Sequence, residues 1–154
     1  MPRRLLRPNS PGGRPRVIYS EPDDAFRMAA INALRDRFEL ITIASGLDPV
    51  RKAREEGPEM VLISVAGNPE RALRACRLLK AELDPPTVGV LNLQWARLTS
   101  GEVMEGSGAD GYLLGRPDLG VFDEWVVGVY SGERPIITLP RPGILGRIKR
   151  RLKR

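Results

Sequence analysis

Met60-Val-Leu-Ile-Ser-Val65 is an almost unbroken apolar run, preceded by Gly57-Pro58 and followed within a few residues by a stretch of helical periodicity. Six residues without polar alternation, three of them β-branched, read as a strand covered on both faces. Such a strand belongs to a parallel sheet between two helical layers, so its surroundings should alternate strand and helix. They do. Residues 69–83 are amphipathic, with Ala72, Leu73, Cys76, Leu79 and Leu83 on the inward side and Arg71, Arg74, Arg77 and Lys80 on the outward side. Residues 88–93 form a second continuous apolar run. Upstream, 17–20 read as a strand and Pro22-Asp23-Asp24 as a turn into a helix whose apolar face is Phe26, Ala29, Ala30, Ala33 and Leu34. Residues 40–44 are the next strand, and Asp48-Pro49 opens a short helix that Gly57-Pro58 closes. Downstream come a weak helix near 101–105, a strand over 112–114 and a helix from about 118 to 130. Five strand–helix units imply an α/β domain over residues 16–134, a five-stranded parallel sheet in a three-layer (βα)5 sandwich.

Composition narrows the chemistry. The chain has 154 residues, 42 % of them apolar, enough for one domain with one core. It has no histidine, which excludes a Ser-His-Asp triad, histidine relays and most zinc sites. A single cysteine, Cys76, can form no internal disulfide and sits among core positions. No metal and no cofactor is expected. No apolar run approaches the roughly 20 residues of a membrane span, and the N-terminal arginines are followed by no apolar segment, so a cytoplasmic protein is expected.

The net charge of +6 is unevenly spread. Residues 1–16 carry five arginines and 141–154 carry seven Lys/Arg, both without an acid, leaving 13 basic against 19 acidic residues between them. An acidic body thus has two basic ends. Residues 1–15, rich in Pro, Gly and Arg, read as a flexible arm. Residues 135–154 read as an extended linker and a basic tail. In that tail Ile144, Leu145, Ile148 and Leu152 recur at helical spacing among Arg147, Lys149, Arg150, Arg151, Lys153 and Arg154. Such a cationic amphipathic segment suits an acidic partner protein or an anionic ligand: a cyclic dinucleotide, nucleic acid or a membrane surface. A solvated solubility tail is the plainer alternative, though spaced Ile and Leu would gain nothing there.

Three stretches carry a resemblance: Arg16-Val-Ile-Tyr-Ser-Glu-Pro-Asp-Asp-Ala-Phe-Arg27; Pro58-Glu-Met-Val-Leu-Ile-Ser-Val65 with Cys76-Arg-Leu-Leu-Lys80 beyond it; and Gly108-Ala-Asp-Gly-Tyr-Leu113 before Arg116-Pro117. By their order and spacing, residues 16–134 resemble the receiver domain of two-component response regulators, a flavodoxin-like fold. The resemblance implies a phosphorylation pocket built from two Mg²⁺-binding carboxylates, an acceptor aspartate, a hydroxyl residue and a lysine. Here those positions hold Glu21, then Pro22 with Asp23 as nearest acid, Ser64, Asn92, and Gly115 or Arg116. An alcohol at the acceptor position cannot form an acyl phosphate. Glu21, Asp23, Ser64, Asn92 and Arg116 therefore form a vestigial pocket in a non-catalytic pseudo-receiver, a regulatory adaptor and not an enzyme. Partner binding would use the face of the fourth helix, fifth strand and fifth helix, near Trp95, Met104, Tyr112 and Phe122. Asp23 and Asp24 have a simpler use as helix-capping acids. Gly106-Ser-Gly-Ala-Asp-Gly111 spells G-x-G-x-x-G but precedes a strand, whereas dinucleotide binding needs it to follow one.

Overall fold

The computed structural model describes residues 13–43 and 48–141. The elements run β1 (Arg16–Ser20), α1 (Asp24–Leu34), β2 (Glu39–Ile43), α2 (Pro49–Glu56), β3 (Met60–Ser64), α3 (Pro69–Lys80), β4 (Thr87–Asn92), a π-helical turn (Glu102–Gly106), β5 (Gly111–Leu114), α4 (Leu119–Ser131) and β6 (Ile136–Thr138). Each α-helix starts where a side chain one residue ahead accepts a free backbone N–H. Asp23 caps α1 through Phe26 N, Asp48 caps α2 through Val50 N, Asn68 caps α3 through Arg71 N and Asp118 caps α4 through Val121 N. Gly57 closes α2 in the left-handed conformation, φ 58°, where a side chain would be strained.

The sheet is parallel throughout, in the order β2-β1-β3-β4-β5-β6. Every residue of β3 and β4 is buried, as the continuous apolar runs imply. Alternate side chains serve opposite layers. Ile18, Val61, Ile63, Val88 and Val90 meet α2, α3 and the π-helical turn, while Val17, Tyr19, Met60, Leu62, Leu91 and Leu113 meet α1 and α4. On the α4 side, Gly89 and Gly111 leave the room that Trp125 fills. A Cβ at Gly89 would stand 2.7 Å from the Trp125 ring.

Three sequence expectations need correction, while the expectation of a core Cys76 holds. The sheet has six strands, because residues after 134 return to it: Tyr112 N donates to Pro135 O and Leu139 N to Leu114 O, which zips β6 onto β5. The expected fourth helix is a five-residue π-helical turn, begun by a reciprocal cap in which Glu102 accepts from Thr99 and Thr99 Oγ1 accepts from Glu102 N. Gly101, Gly106 and Gly108 around it deny a longer helix. Helix α3 stops at Lys80, before Asp84-Pro85-Pro86, so Leu83 is exposed and not inward. Cys76 is fully buried, and burial pushes its thiol up to about 11, which leaves it unreactive. Among the described residues no helix is long and apolar enough to cross a membrane. The basic tail lies outside the described residues.

Candidate functional site

The carboxyl ends of β1, β3, β4 and β5 share one edge of the sheet, and the residues following them form a cluster there. Glu21 leaves β1 on the side of Tyr19, two positions earlier on the same face. Its side chain is 1 % exposed. Oε1 accepts from the Tyr19 hydroxyl at 2.8 Å and Oε2 from Asp23 N at 3.2 Å, and the Ser64 hydroxyl also donates to it. Burial raises the Glu21 carboxyl above its ordinary range even though these hydrogen bonds pull the other way. The same burial, reinforced by the Glu21 charge, lifts the Tyr19 hydroxyl far above its usual value and keeps it protonated as a donor.

Asp23 faces outward. Its Oδ1 caps α1 at 2.9 Å from Phe26 N, and its Oδ2 pairs with Arg116 Nη2 at 2.8 Å. The Phe26 N–H, then Arg116, hold this carboxyl below the usual range. Arg116, in the β5–α4 loop, also lies over the Phe26 ring at 5.5 Å from its centroid. An ion pair and a ring contact thus tie the start of α1 to the end of β5 across the mouth of the cluster. Ser64 ends β3 at the same edge, 8 % exposed.

Of the five expected pocket residues, Glu21, Asp23, Ser64 and Arg116 come together. Asn92 lies at the same edge but turns into its own loop. Its Oδ1 accepts from Ala96 N at 2.9 Å, and its Nδ2 donates to Ala96 O at 2.8 Å and to the Tyr112 hydroxyl at 3.0 Å. Tyr112 in turn donates to Leu98 O at 2.7 Å. This clamp holds the β4 loop, in which Trp95 takes a positive φ of 53° and donates from Nε1 to Leu139 O. Sequence reasoning missed Tyr19, whose signal was its period-2 relation to Glu21.

The expected partner face is corrected by burial. Met104, Tyr112 and Phe122 are core side chains, at most 4 % exposed, because the α2–α3 layer and α4 cover them. Trp95 alone of that set is partly accessible. The candidate binding residues Arg147, Lys149, Arg150, Arg151, Lys153 and Arg154 lie outside the described residues.

A Mg²⁺ ion wants about six oxygen ligands with carboxylates free to serve. Here the oxygens of Glu21 and Asp23 are occupied by N–H and O–H donors, and Arg116 already supplies a positive charge at the mouth. The residues present do not fit the cation. Among the described residues no group of three or more Cys, Asp or Glu could hold a metal.

No protein-family profile and no curated protein matches the chain. Solved structures do. A response regulator from Thermotoga maritima aligns over 77 % of this chain and 98 % of its own, with TM-score 0.63 and 24 % identity. The chemotaxis response regulator CheY4 of Vibrio cholerae aligns over 75 % and 98 %, with TM-score 0.62 and 16 % identity. The N-terminal domain of the nisin resistance regulator NsrR aligns over 75 % and 97 %, with TM-score 0.64 and 11 % identity. The chain therefore has the flavodoxin-like fold of response-regulator receiver domains.

Proposed function

We propose that this chain is a regulatory module of receiver fold that works by contact with a partner protein and not by accepting a phosphoryl group. The observation behind it is the Asp23–Arg116 ion pair and the buried, hydrogen-bonded Glu21, at the sheet edge where Ser64 ends β3 and where acyl-phosphate chemistry would need two free carboxylates and an aspartate. Ser64 cannot form the acyl phosphate, and Glu21 serves as a hydrogen-bond acceptor inside the fold. On the α4–β5–β6 side the accessible apolar side chains are Leu119 and Val127 of α4 and Ile136 of the edge strand, with Trp95 beside the C-terminal segment. These replace Met104, Tyr112 and Phe122 as the contact residues. Incubation with acetyl phosphate and Mg²⁺, followed by intact-mass measurement, should leave the protein unmodified, and Ser64→Asp should stay unmodified as well because the neighbouring carboxylates remain engaged. Stoichiometric addition of one phosphoryl group to the wild type would end this proposal.

A second reading rests on the charge distribution. Seven basic residues without an acid over 141–154 suit an anionic ligand, nucleic acid or a membrane surface. Binding of that kind falls steeply between about 50 and 200 mM salt. It should vanish when 141–154 are removed, whereas protein docking through the body should survive.

A further inference from the structure

A cleft of about 440 Å³ opens at the carboxyl edge of the sheet, between the starts of α2 and α3, with Ser64 in its wall. It lies where the strand order reverses, since β1 leads outward to β2 on one side while β3 leads to β4 on the other. Open α/β sheets bind ligands in the crevice at such a switch point. Its volume is within the range of small-molecule sites, roughly 300–1,000 Å³.

The charges around it are selective. Helices α2 and α3 carry seven cationic side chains. Five of them hold a carboxylate: Arg51 with Glu55, Lys52 with Glu55 and Glu56, Arg54 with Glu82, Arg77 with Glu70, and Lys80 with Asp110. The other two, Arg71 and Arg74, have no ion pair among the described residues, and these are the two that line the cleft. They stand three residues apart on one helix, so like charges sit side by side and repel until an anion joins them. The N-termini of α2 and α3 both reach the cleft at Asp48-Pro49-Val50 and Asn68, adding positive dipole ends. One acid, Asp48, shares the lining, and its Oδ1 is engaged by Val50 N at 2.9 Å. Across from α3 the lining includes the apolar Pro22, Pro49 and Val50, while Ala72, Ala75 and Leu78 line it from α3 itself.

We propose that this cleft binds a nucleoside phosphate, its phosphate held by Arg71 and Arg74 and its base laid against Pro22 and Pro49. The cleft borders the vestigial pocket at Pro22 and Ser64, but its arginines are no part of that pocket.

The test is titration of the full chain with AMP and GMP, followed by the amide shifts of Ser64, Ala66 and Asn68, with inorganic phosphate as comparator. Saturable shifts are expected, with affinity for a nucleotide at least about tenfold above that for phosphate, and lost by at least about tenfold in Arg71→Gln/Arg74→Gln. The exposed double variant should keep the wild-type melting curve, and Arg150→Gln/Arg151→Gln in the tail should bind as the wild type does. Absence of saturable shifts at millimolar nucleotide, equal affinity for phosphate, or unchanged affinity in the Arg71/Arg74 variant would overturn the proposal.

Discussion

Asp23 performs two functions that substitution can separate. One carboxylate oxygen caps α1 and the other holds Arg116. Removing an N-cap costs about 1 kcal/mol. The ion pair, with the Arg116 side chain 45 % exposed and Asp23 28 %, contributes about 0.5 kcal/mol after solvent screening. Asp23→Ala should therefore lose about 1.5 kcal/mol, or roughly 6 °C at about 4 °C per kcal/mol for a domain of this size. Asp23→Asn keeps an equivalent cap and loses only the pair, so it should cost about 0.5 kcal/mol. Arg116→Gln loses the pair and its place over Phe26, about 1 kcal/mol in all. Urea denaturation of the single variants and of Asp23→Asn/Arg116→Gln closes a double-mutant cycle, with an expected coupling of about 0.5 kcal/mol that fades in roughly 1 M NaCl. The pH dependence has a definite sign. A carboxyl held low in the folded state contributes stability above its unfolded pKa of about 3.9 and loses it as pH falls through the lowered folded value. Wild type and Asp23→Asn should thus converge in acid. If Asp23→Asn proved as damaging as Asp23→Ala, or if the coupling were zero at low salt, the cap-plus-latch account of the mouth would be refuted.

Glu21→Gln tests the buried acceptor. Because burial raises the Glu21 carboxyl, the folded state holds its proton longer than the unfolded chain, and wild-type stability should decline as pH rises from the ordinary carboxylate range through the raised value; the variant should lack that slope in urea melts between about pH 4 and 8. Gly89→Ala should lower stability by about 2 kcal/mol, since its Cβ would lie 2.7 Å from the Trp125 ring and 3.0 Å from Leu62 Cδ2, and a denaturation midpoint equal to wild type would mean that Trp125 is free to shift. Asn92→Ala should cost about 2 kcal/mol by breaking the three-bond clamp on Ala96 and Tyr112, with tryptophan emission moving to longer wavelength as Trp95 loosens.

The layers of this fold were legible because β3 and β4 are apolar along their whole length, which only burial on both faces explains, and because the acids and amide that cap the helices sit one residue before each apolar period. Strand β6 was not legible in the same way. It is three residues between Pro135 and Pro140, with Ile136 and Thr138 exposed, and nothing local marks it as a strand. Its pairing is decided by β5, which would otherwise present an unpaired edge. Tyr112 is buried by the layer of α3 and the π-helical turn and by its hydroxyl's bonds to Asn92 and Leu98, contacts that no local pattern announces. At the site, the order of Glu21, Ser64, Asn92 and Arg116 along the chain placed them at one edge, but no sequence pattern could pair Asp23 with a guanidinium ninety-three positions away, or turn Asn92 back onto Ala96. Arg71 and Arg74 show the same limit more sharply. Helical periodicity divides α3 into an inward and an outward side and puts both arginines outward with Arg77 and Lys80. Only the approach of α2 makes part of that outward side the wall of a cleft, and only the placement of Glu70, Glu82 and Asp110 neutralises the neighbouring cations while leaving these two without a carboxylate. The same amphipathic pattern therefore contains a solvated face and a candidate anion site, and what separates them is which acids the fold brings within reach.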